Sequence, residues 1–353
     1  MRSLLKYSIL TIPALLFASG AFGEEEKKVP LKPIPVHAVK SAAAPVLDAA
    51  VVDGVWKTAP ATEVKAQKGV NFKEGQGNTT GTVQAAYDAK TLWLRVTYDD
   101  PTLSVRRSPY VKQADGTWKK LVDPEDKGGD NNKYYEDKVA LIWNINHSIF
   151  GFDEKFGCQA SCHAGEPGKP YGNKYTEDDG ELGDIWHMKY VRTGVIGQAD
   201  NQYLDSTRFD PAKAPEAGRK SDAGPGGYAD NKLVDDKPAF MNKDGKAANK
   251  GGTYWLKDED KVPFDDSKFV AGDEVASIIV APFGGERGVI KASAKWADGK
   301  WTVLFERPLT TTSKFDVQFD DLSKVYGFGI ALFDNAQVRH AQVREPLHLI
   351  FDK

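Results

Sequence analysis

Cysteine and methionine are almost missing from this chain of 353 residues: there are two of the first and three of the second, one of them the initiator. So few thiols exclude a disulfide-rich scaffold, and a zinc site would need help from six scattered histidines. Beyond the N-terminal 23 residues no apolar run approaches the ~20 residues that span a bilayer. Neither sign of charge dominates, with 47 basic against 50 acidic residues, so nucleic acid and anionic lipid are not expected partners. Also missing are G-x-S-x-G, H-E-x-x-H, the phosphate-binding loop and the dinucleotide fingerprint. An enzyme working through its side chains alone is therefore less expected than a protein whose chemistry rides on a bound group.

What is present starts with a basic opening, Met1-Arg2-Ser3-Leu4-Leu5-Lys6, an apolar stretch at 7–22, and small residues at Ala21 and Gly23 before Glu24. That order predicts a cleavable secretory signal over residues 1–23 and a soluble, periplasmic mature chain. Its removal leaves 45 basic and 50 acidic residues. Residues 24–44 begin with a stretch rich in Lys, Glu and Pro and are expected to form a flexible leader. Residues 45–353 can bury a single substantial core.

Alternation with turns, not helical periodicity, dominates that region. Residues 82–87 and 92–98 read as a hairpin, as do 289–296 and 301–306 around Asp298-Gly299. Further strands are expected at 138–145, 184–191, 327–333 and 347–351. The fold class is all-β, an antiparallel sandwich with long loops and a few short helices. Two polar stretches, 123–133 and 208–261, read as surface loops, the second as a loop-rich insertion. Asp126, Asp130, Asn131 and Asn132 offer oxygen ligands for calcium, but their spacing matches no EF-hand, and a solvated loop is the expectation.

The two cysteines fall in Cys158-Gln159-Ala160-Ser161-Cys162-His163. Two closely spaced thiols followed at once by histidine is the order of the c-type haem attachment signature, C-x-x-C-H. Here three residues separate the thiols, one more than in that signature, so the match is to order and not to spacing. The chemical reason for the order is that both sulfurs must reach the two vinyl groups of one porphyrin edge while the next residue is carried toward the iron. A disulfide is the competing reading. A zinc half-site lacks further ligands, and the polar flank at 164–168 does not suit a redox pair set at a helix start.

Other motifs carry a resemblance. Leu47-Asp48, Gly54-Val55-Trp56, Ala86-Tyr87, Tyr98-Asp99-Asp100-Pro101 and Arg106-Arg107 come in that order. They are followed by 137–143, Asp184-Ile185-Trp186-His187, 305–309 and 328–335. Together they resemble the haem-binding domain of ethylbenzene dehydrogenase gamma subunits and dimethyl sulfoxide reductase-like relatives, across most of 45–352. The resemblance implies a β-sandwich holding one haem at the loop end of its strands. It also implies electron transfer, and a molybdenum oxidoreductase or a membrane cytochrome among its redox partners. Gamma subunits hold a non-covalent haem through methionine and lysine; Cys158, Cys162 and His163 stand where that methionine is expected, so this chain looks like a c-type member.

With His163 as proximal ligand, a distal ligand is needed. His340, on a polar turn after the 328–335 strand and near the relatives' ligating lysine, is the first choice. His187 is next, as ligand or as a contact to a haem propionate, and Met188 third. His187 and Met188 alternate on one strand, so only one can face the haem, and Met188 shares its face with Trp186. His37, His147, His348 and Met241 are less expected. The leading functional expectation is a monohaem cytochrome c passing electrons between respiratory partners. The alternatives are a relay subunit of a molybdenum oxidoreductase complex and a haem enzyme or ligand sensor with an open distal site.

Overall fold

A computed structural model describes residues 31–52, 54–126 and 128–353. The expected signal at 1–23 lies outside the described residues, as does the first part of the leader. Thirteen strands form one continuous hydrogen-bonded system. They are β1 (Ile34–Lys40), β2 (Thr62–Gln67), β3 (Thr79–Tyr87), β4 (Thr91–Asp99), β5 (Lys138–Asn144), β6 (Gly183–Lys189) and β7 (Asp200–Leu204). They continue with β8 (Arg219–Ser221), β9 (Lys291–Ala297), β10 (Lys300–Pro308), β11 (Val325–Phe333), β12 (Ala341–Val343) and β13 (Leu347–Phe351). One layer runs β8-β7-β6-β5-β11 and the other β3-β4-β10-β9; the strands β12-β2 and β13-β1 turn the corner between β11 and β3. Pairing is antiparallel except for β1, which runs parallel to both β13 and β3. This is the expected all-β antiparallel sandwich. Its helical pieces are isolated 3-10 turns and one π turn, with no α-helix among the described residues.

The alternation that signalled strands also decides which side chains enter the core. On β5 Val139, Leu141 and Trp143 point inward, on β6 Trp186 and Met188, and on β11 Tyr326, Phe328, Ile330 and Leu332. Trp143 stacks on Phe328 with centroids 4.5 Å apart and lies 5.0 Å from Trp186. Removing each such side chain from water contributes about 1.5–3 kcal/mol. The β9–β10 hairpin closes on Asp298 and Gly299, both at positive φ (52° and 73°), as a two-residue turn matched to strand twist requires.

Three expectations need correction. The flexible leader does not extend over Ile34–Lys40, which are locked between two strands as β1, with Val36 and Ala38 fully buried; alternating apolar residues on this strand outweigh its polar surroundings. The stretch 123–133 is not a solvated loop, because Asp130, Asn131 and Asn132 are buried and Asp130 pairs with Arg339 at 2.8 Å. Nor is 208–261 merely laid over the sheets. Its Met241 and Ala247 enter a separate core with Tyr110, Trp118, Phe269 and Val275, which distant segments supply.

Candidate functional site

The outward faces of β5, β6 and β11 carry Ala140 and Ile142, Ile185 and His187, and Ala331 and Phe333. While Cys162 and His163 are not among the lining residues, over this floor lie Cys158, residues 169–174 and the 337–340 turn. Together they enclose about 1100 Å³ of space, its solvent-open part included. The candidate site sits on the outward flank of the β6-β5-β11 sheet, with Ile142 and Ile185 mid-strand and Phe333 at the end of β11.

Glycines make this seat. On β11 the outward positions alternate Gly327, Gly329, Ala331, Phe333, while aromatics and aliphatics face the core. A Cβ on Gly329 would lie 2.8 Å from the Cβ of Cys158, and one on Gly327 would lie 1.7 Å from Asp153 Oδ1. Their absence lets the Phe152–Phe156 π turn and the Gly157–Ser161 3-10 turn lie directly on the strand. Cys158 is thereby buried with Ile142, Ile149, Phe152 and Ile185, and it lines the cavity.

Cys162 caps the same turn, its Sγ 3.3 Å from the Cys158 carbonyl and 3.0 Å from Lys174 Nζ. The hydrogen bond from Cys158 and the Lys174 ammonium hold the Cys162 thiol well below its ordinary range. The same bond, with burial, pushes Cys158 up. Both cysteines are free thiols here. His163 turns to Tyr175: its ring stacks there with centroids 3.5 Å apart, and Nε2 donates to the Tyr175 carbonyl at 3.0 Å. It is not among the residues that line the cavity.

His187 and His340 do line it. His187 Nδ1 meets Gln202 Oε1 at 3.1 Å, which assigns the proton to Nδ1, and the buried Nε2 has no partner. Burial, then Lys189 and Lys138, keep this imidazole neutral far below its usual pKa. His340 Nδ1 donates to the Val338 carbonyl at 3.0 Å, and burial followed by Lys174 pushes its pKa down to about 4. Each ring therefore keeps a lone pair on Nε2. Met188 is not brought here. One residue from His187, it lies on the other face of β6 inside the main core, 1 % exposed, and this corrects its candidacy as a ligand. His37 pairs with Asp352, His147 with Asp153, His348 meets the Asp153 carbonyl, and Met241 sits in the separate lobe; none lines the cavity.

The walls are basic. Arg107, Lys138, Lys169, Lys174, Lys189, Arg192 and Arg219 face the space against one acid, Glu216. Lys189 is paired with Asp200 and Arg192 with Glu136, each at 2.5 Å, while Lys138, pushed well below its ordinary range by burial, packs 4.1 Å from the Phe333 centroid. An apolar floor, an unpartnered imidazole nitrogen and a cationic rim suit a flat, anionic, metal-bearing group such as haem. Sequence reading missed the rim, Lys174, Tyr175 and Phe333. Only the Gly-aromatic alternation of 326–329 held a visible signal, for a close approach on that face.

Comparison with solved structures finds a family 9 carbohydrate-binding module from Caldicellulosiruptor kristjanssonii in complex with cellotriose, at 10% identity and TM-score 0.37, covering 90% of this chain and 95% of that one. The same module with glucose matches at 9% identity and TM-score 0.34, over 90% and 97% of the two chains. A putative carbohydrate-binding protein from Bacteroides uniformis ATCC 8492 matches at 8% and 0.33, over 90% and 99%. No curated protein sequence matches. The family model for ethylbenzene dehydrogenase matches residues 53–344, which takes in both layers of the sandwich and every wall of the cavity, and the chain belongs to that family.

Proposed function

We propose that this chain is the haem-bearing electron-relay subunit of an ethylbenzene dehydrogenase-like oxidoreductase, exported to the periplasm and carrying one covalently attached haem. The observation that carries the reading is that Cys158, first residue of the Cys-Cys-His segment, shares one basic-rimmed cavity with two neutral imidazoles, His187 and His340. When bound, haem supplies a one-electron centre whose potential follows from its axial ligands and burial.

The protein's own residues divide the work. Cys158 and Cys162 would be the attachment thiols, at the start and just beyond the end of the 3-10 turn that Gly329 seats. His163 would be the proximal ligand, through the Nε2 that here meets the Tyr175 carbonyl. His340 is the distal ligand, held in one tautomer by Val338. His187, beside Lys189 and Arg219, is the contact to a propionate or the alternative ligand. Ile142, Ile185, Ala331 and Phe333 keep water from the ring. Two imidazole ligands would hold the potential below that of a His/Met centre.

Family membership supports a subunit more than the freestanding cytochrome that the sequence alone puts first. The freestanding role stays as a second reading because thioether attachment would keep haem on a lone chain. A molybdenum enzyme is the proposed partner. No helix among the described residues is long and apolar enough to cross a membrane. Acid-acetone extraction of purified holoprotein should leave one haem per chain, with a thioether-type pyridine haemochrome; Cys158→Ala or Cys162→Ala should lower the holoprotein yield, and the double variant should lose covalent attachment. Freely extracted haem would refute covalent attachment. Purification from native cells should bring down a molybdenum-containing subunit; a chain recovered alone and fully haem-loaded would favour the cytochrome.

A further inference from the structure

Away from the cavity, three carboxylates meet at one end of the sandwich. Asp100 directly follows β4, Asp137 directly precedes β5 and Asp334 directly follows β11, so the two layers each contribute. All three are buried, at 0%, 1% and 6% exposure, and one oxygen from each lies within 4.8 Å of the others. No lysine, arginine or histidine pairs with them among the described residues; their contacts are neutral donors. Asp137 accepts from the backbone N–H groups of Ser104 (2.7 Å) and Asn335 (2.9 Å) and from Trp301 Nε1 (3.2 Å). Asp334 accepts from Phe72 N at 2.8 Å and from Thr102 Oγ1 at 3.2 Å. Asp100 Oδ1 accepts from Thr102 N at 3.1 Å.

Two further observations point to something at the centre. Asp100 Oδ2 is buried with no partner, and so is the hydroxyl of Tyr98, a residue 1% exposed whose phenol feels the field of all three carboxylates. Three buried carboxylates cannot all ionise side by side without a cation to offset their mutual repulsion and lost hydration. The donor set is all oxygen, with no imidazole or thiolate, which disfavours zinc and copper. Calcium accepts irregular coordination supplied largely by protein carboxylates, whereas magnesium demands near-ideal octahedral geometry and keeps several waters, so a buried three-carboxylate set suits calcium.

We infer that Asp100, Asp137 and Asp334 bind one calcium ion that pins the two layers of the sandwich together at this end. The backbone donors orient each carboxylate and leave lone pairs for the ion, and Asp100 Oδ2 is the oxygen that only the ion satisfies. The site is independent of the haem reading.

The test uses the full mature protein. Elemental analysis after chelator-free purification should find one calcium per chain. Treatment with EGTA should lower Tm, and added Ca²⁺ but not equal Mg²⁺ should restore it, since a ligand bound only by the folded state stabilises that state. Asp100→Asn should abolish the Ca²⁺-dependent rise in Tm while leaving any haem spectrum unchanged. Absence of calcium together with a Tm indifferent to EGTA and to Ca²⁺ overturns the inference; the carboxylates then share protons. That wild-type outcome decides the matter even if the variant fails to fold.

Discussion

His187 and His340 pack on one and the same ring, that of Phe333, with centroids 5.7 Å and 4.8 Å from it. They come from different elements, one from mid-β6 and one from the turn before β12, yet the outward side chain at the end of β11 draws both to one cavity wall. Each keeps its Nε2 lone pair because the other ring nitrogen is committed to an oxygen.

Substitution separates their roles. His340→Ala is expected to convert a low-spin haem spectrum to a high-spin or ligand-exchanged one while the haem stays covalently attached. His187→Ala is expected to shift the spectrum or potential slightly. Met188→Ala should cost about 2–5 kcal/mol of stability, as a truncation in a packed core, and leave the iron's ligation unchanged. Absorption spectra with denaturant titrations of the three variants check this; loss of the low-spin spectrum in His187→Ala alone would reassign the distal ligand.

Gly329 offers a probe that touches no ligand. In Gly329→Val the branched side chain must displace Cys158, whose Cβ would lie 2.8 Å from the new Cβ. Overpacking of this kind costs about 1–3 kcal/mol. The segment it lifts is the attachment turn, so the expected result is a lower yield of haem-loaded protein, measured as the ratio of haem to protein absorbance. A chain that is destabilised but fully loaded would mean that the turn does not need its seat on β11.

The acid limb of stability should report Asp200. Burial pushes this carboxyl up, but Lys189 at 2.5 Å and Arg287 at 2.6 Å outweigh it and hold it well below the ordinary range. A carboxyl whose folded pKa lies below its unfolded value of ~3.9 contributes stability that is fully present above that value and is lost as pH falls through the folded one. Asp200→Asn should therefore destabilise the protein at neutral pH by about 3–5 kcal/mol, because the buried Lys189 and the partly buried Arg287 lose their counter-charge. The penalty should shrink in acid. Tm measured from neutral pH to about pH 3 for both proteins checks the sign.

Much of the sandwich was legible in the residues. Strands such as β3, β4 and β5 declare themselves because a layer buried on one side must alternate, and Asp298-Gly299 declares its turn because only such residues accept positive φ. Alternation also foretold that Met188 shares the core face of Trp186 and leaves His187 outside. The order Cys158, Cys162, His163 was visible because an attachment motif of this kind lies within one short stretch of chain. Tertiary structure decided the rest. β1 was hidden because its partners, β13 and β3, lie far along the chain. The core under Met241 is assembled from segments more than a hundred residues apart. The cationic rim, the Phe333 wall and the meeting of Asp100, Asp137 and Asp334 arise from strand register between distant elements, and register is a property of the pairing that no local stretch of sequence contains.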